Sequence, residues 1–102
     1  MKIIRKLCEM IDEEINDAEK YVNCALKHKD EDKALADVFY TLGNEELGHM
    51  EKLHAQVVRI INDYRAKKGD PPADMLAVYN YLHERAIEKT KEVKVLLQMY
   101  KG

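Results

Sequence analysis

A heptad stripe of apolar residues is interrupted, at one level of the chain, by polar side chains that occupy core positions. From Leu35 the stripe passes through Phe39 and Leu42, then resumes at Leu53, Val57, Ile60 and Tyr64. Carried across the gap, the same spacing lands on Glu46 and His49. The periodicity predicts a long amphipathic helix with a carboxylate and an imidazole in the middle of its apolar face. Burying either group uncompensated is costly. Glu-x-x-His, at i and i+3 on one helical face, is also a spacing at which two side chains share a metal ion.

The preceding segment repeats the theme. Ile4, Leu7, Ile11, Glu14, Ala18, Tyr21 and Ala25 are spaced 3-4-3-4-3-4, which predicts helix 1 over about 2–28 with Glu14 directed inward. Asp12, Glu13, Asp17 and Glu19 fall outside the stripe and read as solvated charges. A polar break at Lys29–Lys33 supplies Asp30 or Asp32 to cap helix 2, expected over about 33–67. Gly69 is a stop signal, and Asp70-Pro71-Pro72 offers a cap with proline in the first turn of helix 3, over about 72–100. That helix carries Met75, Tyr79, Leu82, Ala86, Thr90, Val93, Leu97 and Tyr100 on its stripe and no carboxylate. The expectation is an all-α single domain, 1–102, with helix 3 packing outside the hairpin of helices 1 and 2 or swapped onto a partner.

Composition is consistent with that class and narrows function. A chain of 102 residues, 46% hydrophobic and 35% charged, with four Gly and two Pro, has the balance of a helical domain with charged outer faces. A net charge of -2 gives no argument for nucleic acid or an anionic membrane as partner. No apolar run approaches the ~18–20 residues of a membrane span, and the N-terminal apolar run is too short for a signal peptide, so a cytoplasmic location is expected. Cys8 and Cys24, on one helix, are ~24 Å apart at ~1.5 Å per residue and cannot bridge within the chain.

Hairpin arithmetic joins the polar core positions. The midpoint between positions 14 and 46 is 30, and between 14 and 49 it is 31.5, both inside the break. An antiparallel hairpin turning there brings Glu14 level with Glu46 and His49, each ~25 Å from the turn. Two carboxylates and an imidazole suit iron or manganese and accommodate zinc. They are half of the four Glu and two His of a dinuclear carboxylate centre. A two-fold axis relating two hairpins supplies the other half, so a homodimer, or a higher homo-oligomer, is expected.

Glu14…Ala18-x-x-Tyr21 followed by Glu46-x-x-His49 resembles the first half of the ferritin-like and rubrerythrin pattern over roughly the first two-thirds of the chain. The organisation is similar to that of encapsulated ferritins, short chains whose paired hairpins complete a di-iron site between subunits. The resemblance implies a four-helix bundle holding two irons per dimer and oxidising Fe(II) with oxygen or peroxide. It implies Glu14 and Glu46 as binding and bridging ligands and His49 as a terminal ligand, with no catalytic residue beyond them. The second Glu-x-x-His of a full ferritin subunit and a rubredoxin segment have no counterpart within these residues, and docking in an encapsulin shell is not expected.

Two alternatives stand beside that reading. One is a metal-free helical interaction module in which Glu46 and His49 form a buried pair fixing register. The other keeps the fold with a structural metal. Tyr21 reads as a core aromatic that could also donate an electron or a hydrogen bond. His54 reads as a boundary residue, His83 as a packed edge residue, and Met10, Met50, Met75 and Met99 as gap-filling core or edge residues.

Overall fold

In the computed structural model, which describes residues 2–102, three helices account for nearly the whole chain: α1 Lys2–His28, α2 Lys33–Lys68 and α3 Ala73–Lys101. No described residue forms a strand. Met1 lies outside the described residues. The helices form a rod of 56 × 19 × 18 Å. No helix is long and apolar enough to cross a membrane among the described residues.

The ends of the helices have identifiable causes. Asp32 caps α2, its side chain accepting a hydrogen bond from the Leu35 N–H at 3.1 Å, which satisfies one of the orphan donors of the first turn. Lys27 and His28 complement the C-terminal dipole of α1, and Arg65, Lys67 and Lys68 that of α2. Gly69 ends α2 at φ 80°, a left-handed conformation that glycine adopts without a Cβ clash, and donates its N–H to the Arg65 carbonyl. The expected cap of α3 differs. Pro72 occupies that position without a side-chain cap, and Asp70 instead pairs with Arg65 at 3.4 Å.

α1 and α2 form the expected antiparallel hairpin. α3 runs parallel to α1 and packs on its own hairpin, chiefly along α1, with little direct contact to α2. Ile15, Val22, Val57 and Val93 form the fully buried centre, joined by Ile4, Ile11, Ala18, Leu47, Ile61 and Leu97. A second, smaller cluster of Ala25, Ala36 and Tyr100 closes the hairpin-tip end. There Tyr100 donates its hydroxyl proton to Asp37 while Lys29 donates to the Tyr100 carbonyl, fixing the end of α3 to the turn. The Asp37 contact pushes the Tyr100 hydroxyl up to about 12, and the same hydrogen bond holds the Asp37 carboxyl below its usual value.

The α3 stripe is as expected, with Val93, Leu97 and Tyr100 buried and Met75, Tyr79, Leu82, Ala86 and Thr90 half-buried. The core faces of the first two helices are rotated from the heptad seam. On α1 the stripe positions Ile4, Ile11, Ala18 and Ala25 are buried, but their partners are Ile15 and Val22, while Leu7, Glu14 and Tyr21 are only half-buried. On α2 the deepest residues are Ala36, Gly43, Leu47, Val57 and Ile61, and of the expected stripe Val57 alone is fully buried. The apolar arc of each helix is wider than one seam, and α3 covers one edge of it. The other edge remains open, with Ile3, Met10 and Leu35 exposed.

Gly43 sets the separation of the hairpin. A Cβ placed there would lie 3.5 Å from the Ala18 carbonyl oxygen and 3.7 Å from the Tyr21 Cβ, which is ordinary van der Waals distance with no room beyond it. Gly43→Ala is expected to raise stability by ~0.5–1 kcal/mol, because alanine is the better helix former and its methyl fits. Gly43→Leu is expected to lower it by ~1–3 kcal/mol or more by forcing the helices apart. Melting curves of the two variants check this, and equal destabilisation by both would be inconsistent with a seam of this width.

Candidate metal centre

One turn beyond Gly43 on α2, and one turn before Ala18 on α1, the close helices bring Glu46, His49 and Glu14 together. His49 Nδ1 lies 3.5 Å from Glu14 Oε2 and 3.7 Å from Glu46 Oε2. One ligand atom from each residue lies within 4.8 Å of the others, and no other set of three His, Cys, Asp or Glu does so among the described residues. Donors on opposite sides of an ion with ~2.1 Å bonds are ~4.2 Å apart, so closing this set on one ion takes side-chain adjustments of about half an ångström. All three residues singled out by spacing therefore meet, and they meet across the hairpin at the expected level.

Their burial is shallower than the heptad stripe implies. The Glu46 and Glu14 side chains are 18% and 25% exposed, and His49 is 53% exposed. The rotation of the core explains this. Leu47 and Ile15, one residue on from Glu46 and Glu14, take the interior positions, and the polar set falls on the open edge of the apolar arc. The site is a part-covered notch between two helices.

Electrostatics in the notch are dominated by the two carboxyls. The hydrogen bond to Glu14, burial, and the Glu14 charge together push the Glu46 carboxyl up to about 7, with His49 partly offsetting them. Asp17 adds to the upward push. Sequence spacing had assigned Asp17 to solvent. Its position one turn from Glu14, level with Glu46 about the same hairpin turn, is the signal that identifies it as a third acidic group near the site. Glu14 Oε2 is buried and makes no hydrogen bond. An orphaned carboxylate oxygen facing an imidazole is what a set of metal ligands presents to an ion.

The other residues weighed from sequence lie elsewhere. Tyr21 stacks on Phe39, their ring centroids 6.3 Å apart, and Phe39 on His28 at 6.2 Å, forming an aromatic layer along the open edge. Met10 and Met99 are exposed edge residues, and Met50 and Met75 are half-buried. Cys8 and Cys24 are free and half-buried. His83 is a packed edge residue, stacked between His54 and Tyr79. No known protein family, curated protein or solved structure matches the chain.

The raised Glu46 value has a consequence for stability. Between its ordinary value near 4.5 and about 7 the folded state binds a proton that the unfolded chain releases, so this group's contribution falls as pH rises through that window. Glu46→Gln is expected to flatten the fall and to stabilise the metal-free protein at pH 8 by about 1 kcal/mol, after allowance for solvent screening. Denaturant titrations at pH 5, 6, 7 and 8 measure it. A wild-type chain that gains stability across the same range would contradict the assignment.

Proposed function

We propose that the chain is a ferritin-like metal-binding protein whose di-iron carboxylate site is completed across a homodimer, and that it oxidises Fe(II) with oxygen or peroxide. The observation that carries the reading is the meeting of Glu14, Glu46 and His49 on adjacent helices, with a buried Glu14 oxygen that accepts no hydrogen bond among them.

The donor set fits such a centre. Two carboxylates and an imidazole are hard and borderline ligands of the kind iron and manganese take, and zinc is accommodated. In a dimer, Glu14, Glu46 and His49 would hold the metal, and a two-fold axis would double the set to four Glu and two His. Iron, when bound, supplies redox chemistry at coordination positions the protein leaves open. The chain holds its two carboxyls in register through the Gly43 seam, and Glu46 would hold the ion in its deprotonated form.

The open edge of the hairpin supports the two-fold partner. Exposed Ile3, Met10 and Leu35 lie on the same side as the ligands, flanked by half-buried Leu7, Tyr21, Phe39, Leu42, Leu53 and Ile60. That edge is what a second hairpin would cover, and covering it would dry the notch and strengthen its electrostatics. α3 lies against the other side and does not stand in the way.

One observation favours a metal-free reading, in which the triad is a register device. A Glu46 carboxyl that stays protonated near pH 7 can donate to Glu14 and settle the pair without an ion. Metal content decides between them. Protein purified without a metal-binding tag and loaded anaerobically with Fe(II) is expected to hold about two transition-metal ions per dimer. Glu14→Ala and His49→Ala are each expected to lose them while remaining folded. A folded wild-type dimer that stays metal-free after loading would leave the register device standing, and a monomer by solution mass would remove the intersubunit site.

A further inference from the structure

On the far side of the hairpin a second feature is built from residues the metal centre does not use. Because α3 packs on α1 and barely touches α2, a groove of about 470 Å³ remains between α2 and α3, floored by α1. That volume lies in the range of small-molecule sites. Ile11 of α1 lies in the floor and Val57 of α2 in one wall, and a ladder of three rings spans α2 and α3. Tyr79 stacks on His83 with centroids 5.6 Å apart, and His83 on His54 at 4.9 Å, the planes inclined by 15° and 12°. His54 lines the groove, and its Nε2 is buried with no hydrogen-bond partner. A buried ring nitrogen left unpaired carries a desolvation cost that a bound polar group would remove.

The donors present do not make a metal site. Near-parallel imidazoles direct their nitrogen lone pairs along near-parallel planes, so His54 and His83 do not converge on one ion. Burial pushes the nearby Cys8 thiol up, keeping it protonated and a poor ligand. Burial, with the neighbouring His83, holds the His54 imidazole below its ordinary value, so it presents a neutral ring. The mouth carries charge of both signs, unequally engaged. Asp12 is bound by Lys89, Glu9 faces Arg5, and Lys91 pairs with Glu88. That leaves Arg85 and Lys94 against Glu51 as the lining charges outside a salt bridge, a net positive rim.

We propose that this groove binds a small planar aromatic acid, its ring packed against the edge of the Tyr79–His83–His54 ladder, its polar group hydrogen-bonded to His54 Nε2 and its charge met by Arg85 and Lys94. Ring edges, an apolar floor and a lone buried hydrogen-bonding atom together select a rigid ring with one polar end over a flexible chain. The site is independent of the metal centre, which lies on the opposite edge of the hairpin.

The test uses the full chain and 2-naphthoate as probe, followed by calorimetry and by NMR of labelled histidine and tyrosine. Saturable binding of one naphthoate per chain is expected, with the largest shifts at His54, His83 and Tyr79. His54→Phe keeps a ring and removes the nitrogen. It is expected to weaken binding about tenfold while leaving the melting temperature of the free protein the same or higher, since an unpaired buried atom is gone. Arg85→Glu is expected to weaken binding several-fold, and 2-naphthylmethylamine to bind about tenfold less tightly than the acid. Glu14→Ala is expected to bind the probe as wild type does. Absence of saturable binding would overturn the proposal. So would equal binding by wild type, His54→Phe and Arg85→Glu, or by acid and amine, each of which would mark the groove as an unspecific apolar seam.

Discussion

The contact on which the rest depends is the close passage of α2 over α1 at Gly43. A hairpin with side chains larger than alanine at that crossing would hold its helices farther apart, and the separation would be felt one turn away, where Glu14 faces Glu46 and His49. Ala18 on α1 is small for the same reason, and Ala25 and Ala36 continue the narrow seam toward the turn. The narrowness has a cost in buried apolar volume on this side. It is offset by larger fully buried residues spread along the core, Ile15, Val22, Val57 and Val93 among them.

Bringing two carboxyls that close creates a problem that can be settled in two ways, and the same geometry serves both. A proton shared between Glu14 and Glu46 removes one negative charge, which is why Glu46 is pushed up to about 7. A divalent cation would remove the repulsion and would also engage the Glu14 oxygen that hydrogen bonding leaves over. On the metal-binding reading proposed above, proton and cation would compete for one notch. His49 bears on both, since its imidazole opposes the Glu46 shift and its Nδ1 sits within reach of each carboxylate. Its exposure keeps one side of the notch accessible from solvent.

Much of this was legible in the sequence, and the part that was not has a definite physical origin. Helix number, the turn at 29–32, the Asp32 cap, the Gly69 stop and the α3 stripe all rest on local chemistry that a linear pattern carries. The level at which Glu14 meets Glu46 and His49 follows from counting residues about the turn. The depth of burial does not. A stripe with heptad spacing identifies an apolar arc but not which edge of a wide arc a third helix will cover, and Ile15, Val22 and Leu47, one residue on from the stripe, complete the core from its flank. The ladder of Tyr79, His83 and His54 was out of reach for another reason: two rings come from α3 and one from α2, and no periodicity within one helix reports on rings stacked between two. Asp70 shows the limit of a local rule, because Arg65, at the end of the preceding helix, claims the carboxylate that spacing assigned to a cap.

The two faces of the hairpin have different demands, and α3 separates them. Set against α1, it buries the large aliphatic residues that hold the chain together and fixes its own end through Tyr100, Asp37 and Lys29. Because that side supplies the core, the opposite edge need not be fully covered for the chain to fold. It is free to carry carboxyls and an imidazole that a three-helix core would have to neutralise. Had α3 lain over that edge, Glu14 and Glu46 would be sealed under apolar side chains with no route for an ion or a second hairpin, and the charge would have to be carried by a permanent proton. Placing the third helix on the far side is therefore what keeps the Glu14, Glu46 and His49 notch open to chemistry.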